Sequence, residues 1–322
     1  MRVHRSVAAL TVLLLVAVRA SAQSFTPPES IVALPAQPVA LVIATTRPVA
    51  AVITVDSRIR ILSLPDGHEL REIAIPPGPG DVFSLSSDGR LAVYGDHNGR
   101  VQVWATDSGA ATCDLKLRHY PGVGVFSHDG KTLALAAQGD ALQLVDVATC
   151  TTRASLPQTI GGVMAAAFSR DDRYIVCGGG DTAVRVHDTA DGRLVSENRE
   201  SLMSPLAVDF ARDGHTVVAS GGDKVTLIID AATGRVTRRL RGATQPPLAV
   251  QFSPDGARLG IVFMKSEDMT RPDHIVVIDA ASGAREVDWV PPVMPIGGGW
   301  SHDGHLIVGT MQQNALHLWT LK

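Results

Sequence analysis

Residues 252–263 read FSPDGARLGIVF, and this run predicts a β-strand, a tight turn and a second β-strand. The first strand ends at the aromatic Phe252, and Pro254-Asp255-Gly256 forms the turn. Proline presets one turn dihedral angle, aspartate hydrogen-bonds back to its own backbone, and glycine tolerates a positive φ. Five further copies of the same sequence motif begin at Leu85, Phe126, Phe168, Phe210 and Trp300. A strand–turn–strand unit therefore recurs along the chain.

The turn aspartates set the length of the repeat. They are Asp88, Asp129, Asp171, Asp213, Asp255 and Asp303, at successive intervals of 41, 42, 42, 42 and 48 residues. In most copies a further alternating strand ends 17 residues after the aspartate. The same offset separates Thr46 from Ser63, which indicates a degenerate first copy with Thr46-Arg47-Pro48 at its turn. The spacing therefore predicts seven copies of the repeat.

Each copy contains four strand-like runs, which we name a to d in chain order. In the fifth copy they are LAVDF (206–210), TVVAS (216–220), VTLII (225–229) and RVTRRL (235–240). Runs a to c are apolar, whereas run d is more polar, as is typical of an exposed edge strand. One such sheet cannot bury both of its faces, but sheets stacked around an axis can. The sequence therefore predicts an all-β fold, a seven-bladed β-propeller of four-stranded antiparallel blades.

The two ends of the chain are predicted to complete one blade together. The last copy reaches only strand c at Lys322, so its outer strand d is missing. The run from Ser30 to Leu34 precedes the first strand a and has no other partner within the repeat. We therefore expect an N-terminal outer strand to close the propeller.

The repeat resembles the WD40-repeat family, in its WD40 or YVTN-like form. The family pattern has an F-S-x-D-G turn, an aspartate in the b–c turn, and a strand c that ends in Trp-Asp. The b–c turn aspartate is matched by Asp140, Asp181 and Asp223, and the final aspartate by Asp146, Asp188, Asp230 and Asp279. Trp104 and Trp319 match the tryptophan, whereas five copies carry Leu62, Val145, His187, Ile229 or Ile278 there. The resemblance covers about residues 31–322 and implies a divergent, exported propeller, although a fold does not by itself give a function.

Residues 1–22 have the pattern of a secretory signal peptide. A basic head at residues 2–5 precedes an apolar run at residues 7–18, and Ala20-Ser21-Ala22 offers small residues for cleavage. An uncleaved membrane anchor is the alternative, but a bilayer span needs roughly 20 apolar residues. We expect cleavage near Ala22 and no membrane insertion afterwards. A single propeller over residues 23–322 would then lie in the periplasm or outside the cell.

The net charge limits the kinds of partner that we expect, and the position of each cysteine suggests its role. Cleavage removes three arginines and no acid, which leaves a formal charge of −6 on the mature chain. A negative chain argues against nucleic acid, whose phosphates require a basic face. Cys177 lies in an apolar run and is interpreted as a small buried hydrophobe. The sequence leaves open whether Cys113 and Cys150 form a disulfide.

The residue pattern does not predict a catalytic or metal-binding cluster. The histidines follow repeat positions, since His128 and His302 share the same place in the a–b turn. The glycine runs at 178–180 and 221–222 lead into strands, whereas a phosphate loop leads into a helix. We therefore expect no catalytic site, no metal and no cofactor. The alternative is a propeller enzyme, lactonase-like or quinoprotein-like, or a small-ligand binder at the central channel.

One face of the propeller is predicted to bind partners. The b–c and d–a loops share this face, and the b–c loop at residues 264–274 is seven residues longer than the repeat requires. The predicted partner-binding rim includes His97, Asn98, His119, Tyr120, Glu267, Asp268, Met269 and Arg271. Tyrosine, methionine and arginine are enriched at interfaces, although a tolerated surface insertion is the alternative. The sequence thus predicts a monomeric, non-catalytic platform for one or more protein partners.

Overall fold

The computed structural model describes residues 30–78, 80–137, 139–157, 161–200, 203, 205–240, 246–263, 274–292 and 295–321. All regular secondary structure in these residues is β-strand, and there are 28 strands. In chain order they are β1 (Ser30–Ala33), β2 (Pro38–Ile43), β3 (Val49–Thr54), β4 (Arg58–Ser63), β5 (Glu69–Ala74), β6 (Gly80–Leu85), β7 (Leu91–Asp96), β8 (Arg100–Ala105), β9 (Ala111–Lys116), β10 (Pro121–Phe126), β11 (Thr132–Ala137), β12 (Gln143–Asp146), β13 (Thr151–Ser155), β14 (Val163–Phe168), β15 (Tyr174–Gly179), β16 (Val184–Asp188), β17 (Leu194–Asn198), β18 (Pro205–Phe210), β19 (Thr216–Gly221), β20 (Thr226–Asp230), β21 (Val236–Leu240), β22 (Pro247–Phe252), β23 (Arg258–Phe263), β24 (Ile275–Asp279), β25 (Arg285–Trp289), β26 (Pro295–Trp300), β27 (Leu306–Gln312) and β28 (Ala315–Leu321). Within the described ranges, no helix has the length and apolar character that a membrane span requires.

The strands form seven four-stranded antiparallel blades. Blades 1 to 6 are β2–β5, β6–β9, β10–β13, β14–β17, β18–β21 and β22–β25, and blade 7 is β26–β28 with β1. One parallel pair, Leu41 with Gly297, also joins blade 7 to blade 1. The first strand of each blade contacts the first strands of both neighbouring blades, so the ring is closed. The predicted all-β, seven-bladed propeller is confirmed.

The predicted closing strand is also confirmed. β1 pairs antiparallel with β28, from Ser30 opposite Leu318 to Ala33 opposite Ala315. Val32 points into the core of the blade, whereas the neighbouring Ile31 is 61% exposed. This alternation is that of an edge strand with one buried face. The N-terminal strand therefore supplies the fourth strand that the last repeat lacks.

The a–b turns are built around the predicted aspartates. The Ser86 hydroxyl donates to the Asp88 carboxylate at 2.7 Å, and the Arg90 N–H donates to the same carboxylate at 3.1 Å. The serine contact recurs at Asp129, Asp171, Asp255 and Asp303. In the fifth blade alanine replaces the serine, and Asp213 accepts from the N–H groups of His215 and Thr216, at 2.8 and 2.9 Å. Each aspartate therefore accepts hydrogen bonds from turn groups that would otherwise lack a partner within the turn.

The core lies between the blades. Val176 of blade 4, for example, packs with Val208 and Phe210 of blade 5, and all three are buried. His187 takes the place of the family tryptophan and is also buried, with its Nδ1 3.1 Å from the Gly192 carbonyl oxygen. Burial lowers the pKa of His187 and thereby favours the neutral ring. Side chains of adjacent sheets thus supply the contacts that one sheet could not supply alone.

Blades 2 and 3 are joined by a covalent bond. Cys113 in β9 and Cys150 in the turn after β12 form a disulfide, with their Cα atoms 5.4 Å apart. The sequence had left this pairing open. Cys177 is a buried free thiol, and burial raises its pKa to about 12.

Candidate partner-binding rim

The b–c turn of blade 2 packs directly against the loop that leads to blade 3. Asp96 is buried, and its carboxylate accepts from the N–H groups of Asn98 and Arg100, each at 2.9 Å. Gly99 has φ of +84°, and a Cβ there would lie 2.8 Å from the Leu117 carbonyl oxygen. The Leu117 N–H donates to the Gly99 carbonyl at 2.8 Å. Glycine is therefore required for its conformation and for the close approach that fixes the loop on the turn.

This packing brings predicted rim residues together. The rings of His97 and Tyr120 have centroids 5.6 Å apart and an interplanar angle of 46°, a favourable tilted arrangement. Tyr120 is 37% exposed, and Asn98 follows His97 in the same turn. His119 approaches blade 3 instead, with its Nδ1 3.6 Å from Oδ2 of Asp140. We call His97, Asn98, His119 and Tyr120 the aromatic patch.

The other predicted rim residues belong to the long loop of blade 6. Glu267, Asp268, Met269 and Arg271 lie outside the described residues. The base of the loop is described, and there the Phe263 N–H donates to the His274 carbonyl at 2.9 Å. His274 Nδ1 lies 3.0 Å from Asp288 Oδ1 in β25, so this histidine is tied to the outer strand of its own blade.

A ring of bulged residues on the same face was missed from the sequence. In every inner strand the pairing with the next strand skips the second residue, which produces a β-bulge. The second residues are Val39, Asp81, Gly122, Met164, Leu206, Leu248 and Ile296. Val39 and Met164 are 46% and 45% exposed. The sequence did contain a signal for these bulges. Five of the seven inner strands begin with proline, which is favoured at strand starts and at bulges.

Two arginines beside the b–c turns are paired with acids of their own blades. Arg60 is 2% exposed and lies 2.9 Å from Asp56 and 3.1 Å from Glu72. In blade 4, Arg185 contacts both Asp181 and Glu197. The hydrogen bond from Arg185 lowers the pKa of Asp181. These pairs stabilise the b–c turns of blades 1 and 4.

The central channel has a volume of about 310 Å³ and is lined by the inner strands. Ser84, Asp209 and Gln251 occupy the fifth position of their strands and line it. The Phe252 N–H donates to Asp209 Oδ2 at 2.7 Å, while burial raises the pKa of Asp209 to about 7. The described part of the chain holds no group of three or more His, Cys, Asp or Glu side chains arranged for a metal ion. Among the described side chains that line it, the channel therefore presents one carboxyl group, one imidazole, one amide and several hydroxyl groups.

Residues 151–188 match the family model of the WD domain, G-beta repeat. The resemblance to the WD40 repeat is confirmed. The matched WD40 stretch runs from β13, the outer strand of blade 3, through the first three strands of blade 4. It contains Asp171, Asp181 and Asp188, three of the aspartates on which the resemblance was based.

Solved structures show the same architecture over nearly the whole chain. The chain is similar to a chain in the crystal structure of the mitotic checkpoint complex, with a TM-score of 0.77 and 17% sequence identity. The alignment covers 92% of this chain and 96% of that chain. At this identity the likeness shows the WD40-type propeller fold alone. Among curated proteins, no sequence matches this one.

Proposed function

We propose that this propeller is an exported, monomeric, non-catalytic platform that binds a protein partner through its rim. The observation that carries the proposal is the aromatic patch. His97 and Tyr120 come from two different loops, and the contact at Gly99 holds both loops in place. A rigid, partly exposed aromatic pair is the kind of group that anchors protein interfaces.

Two further features support a protein partner. The bulged Val39 and Met164 expose apolar side chains at the same face, where the inner strands begin. The similar propeller of the mitotic checkpoint complex belongs to a protein assembly. A partner that covers the aromatic patch and reaches toward the bulged residues would bury apolar surface on both. The long loop with Glu267, Asp268, Met269 and Arg271 is proposed as a second contact.

Export is proposed from residues 1–22 and is supported by the disulfide between Cys113 and Cys150. Disulfides persist in the periplasm and outside the cell but are rare in the reducing cytosol. Mass spectrometry of the protein from its native host tests this proposal, which expects an N-terminus near Gln23. An intact residue 1 would contradict cleavage.

Affinity capture followed by a binding measurement tests the platform. The mature protein is used to capture partners from its native envelope, and the affinity of each purified partner is then measured with Tyr120→Ala and His97→Ala. We expect at least a tenfold loss, as for hot-spot residues. The matched control is Leu70→Ala, because Leu70 is 53% exposed on the outer strand β5, away from the rim. Deletion of residues 264–274 tests, in the same assay, whether the long loop is a second contact. Equal binding by the patch variants and the control would place the site elsewhere.

A further inference from the structure

A second cavity lies between blades 6 and 7, beside the first strand of blade 1. Its volume is about 350 Å³. The walls come from β22 and β23 on one side, from β26 and β27 on the other, and from β2. Most of its lining is aliphatic, including Val39, Leu41, Val262, Ile296, Leu306 and Val308. Gln251 is the single polar side chain among the described residues that line it.

The cavity arises from three consecutive glycines in β26. A Cβ at Gly297 would lie 2.1 Å from the Leu41 carbonyl oxygen, and a Cβ at Gly298 would lie 2.3 Å from the Ile307 carbonyl oxygen. Close backbone packing therefore requires glycine at both positions. Gly297 is explained by the joining of blades 7 and 1, and Gly298 by the close approach of β27 within blade 7.

Gly299 is different, because packing does not require it. A Cβ there would meet Ile43 Cβ at 3.4 Å and Gln251 Oε1 at 3.5 Å, which are ordinary contacts. The same position of the inner strand carries Val42 in blade 1, Val125 in blade 3 and Ala167 in blade 4. The backbone at this position therefore accepts a side chain, and the missing side chain of Gly299 keeps the cavity open.

The size and lining of the cavity define the class of ligand. An apolar cavity of roughly 150 Å³ is large enough to bind benzene and stays dry when empty. A cavity of about 350 Å³ therefore suits a molecule of roughly two fused rings. None of the described lining residues is charged, so the cavity offers nothing to an ionic ligand. Gln251 lies where the cavity meets the central channel and offers one polar contact.

We propose that this cavity is a binding site for a small, uncharged, mainly apolar molecule of about two rings in size. The ligand reaches it from the central channel, because Ala249, Gln251, Gly298 and Gly299 line both spaces. The lining shares Val39 and Ile296 with the ring of bulged residues but includes no residue of the aromatic patch. The experiments below measure binding of the small molecule directly, so their outcome does not depend on the protein partner proposed above.

Calorimetric titration with 2-naphthol tests the proposal, with 1-naphthalenesulfonate as a charged probe of the same ring size. We expect saturable binding of 2-naphthol with a Kd of about 100 µM or tighter, and no binding of the sulfonate. Gly299→Val should weaken binding at least tenfold, because the new side chain occupies the cavity. The matched control is Ala167→Val, which adds a larger side chain at the same position of blade 4 and should change Kd less than twofold.

A second measurement decides the question even if Gly299→Val does not fold. In methyl NMR spectra of the unaltered protein, 2-naphthol should shift the signals of Val262, Leu306 and Ile307. Three results would overturn the proposal. They are no saturation up to the solubility limit, equal affinity of both valine variants and the unaltered protein, and shifts confined to residues outside the cavity.

Discussion

Asp172 occupies the place that glycine takes in the neighbouring a–b turns, and it has a φ of +59°. Its carboxylate accepts from the N–H of His128 at 2.7 Å and from the N–H of Asp129 at 2.9 Å. Both donors belong to the turn of blade 3, so Asp172 links two blades. Aspartate tolerates the left-handed conformation better than most residues, although less well than glycine.

Asp172→Gly should therefore destabilise the protein even though it relaxes the backbone. Hydrogen bonds to a charged acceptor contribute about 1.5–3 kcal/mol each, whereas the left-handed conformation costs about 1–2 kcal/mol. For the two hydrogen bonds together we expect a net loss of about 1–5 kcal/mol in the free energy of unfolding, measured by urea denaturation. Asp172→Asn keeps an acceptor oxygen and should fall between the two. A glycine variant more stable than the unaltered protein would show that the link contributes nothing.

Asp209 makes stability depend on pH. Its pKa is raised from 3.8 to about 7, chiefly by burial. The folded protein therefore holds a proton between these pH values that the unfolded chain releases, so this residue lowers stability as pH rises from about 4 to 7. A rise of this size corresponds to roughly 4 kcal/mol. The carboxyl faces the channel and keeps some solvation, so we expect a smaller contribution.

Asp209→Asn should remove this dependence while keeping an acceptor for the Phe252 N–H. Relative to the unaltered protein, the variant should gain about 1–3 kcal/mol of stability between pH 4 and pH 8. The measurement is urea denaturation across this range, and the difference between the two proteins cancels the titration of groups that do not interact with Asp209. Parallel curves for the two proteins would contradict the raised pKa.

At the scale of single elements, the closing strand β1 gives the first test, because it must pair with a strand from the other end of the chain. β1 offers a matched pair of neighbours, since Val32 is 8% exposed and Ile31 is 61% exposed. Val32→Asp would place an unpaired charge among Leu34, Leu316 and Leu318. We expect it to cost at least about 3 kcal/mol, whereas Ile31→Asp should change stability by less than about 1 kcal/mol. Equal melting temperatures for the two variants would mean that β1 does not close the ring in solution.

The disulfide between blades 2 and 3 gives a second test at this scale. It closes a loop with a sequence separation of 37 residues, which by chain entropy corresponds to about 3–4 kcal/mol. Cys113→Ser combined with Cys150→Ser should lower stability by a similar amount, measured by denaturant unfolding. Dithiothreitol should destabilise the unaltered protein and a Cys177→Ala control, but it should not affect the double variant. No effect of the reductant on the unaltered protein would contradict the bond.

At the scale of the whole molecule, the repeat spacing was enough to predict the architecture. The constant offset from turn to strand end gave the blade unit, and the missing last strand d indicated the role of residues 30–34. Even the degenerate first copy, with Thr46-Arg47-Pro48 at its turn, takes its place as blade 1. The blade unit could be predicted because it depends on residues close together in the sequence. The closing strand could be predicted because the last copy lacks a strand that the repeat requires.

Features that depend on how distant side chains and strands pack together could not be predicted from the sequence. His97 and Tyr120 were both placed on the rim, but their ring contact depends on how Gly99 seats one loop on another. The bulges shift the pairing by one residue, which alternation of apolar residues cannot reveal. The cavity beside Gly299 exists only because strands of three blades meet there.

Photo-crosslinking in the native host tests the proposed rim most directly. A photoreactive residue is placed on the rim at Tyr120, at the bulged Met164 or at Val55 in the b–c turn of blade 1, where the exposed fractions are 37%, 45% and 59%. Arg170 and Arg212, exposed in a–b turns on the opposite face, serve as control positions. We predict covalent adducts with another protein from the rim positions and none from the controls. Adducts from the control positions alone, or from no position, would contradict the assignment of the rim as the partner-binding face.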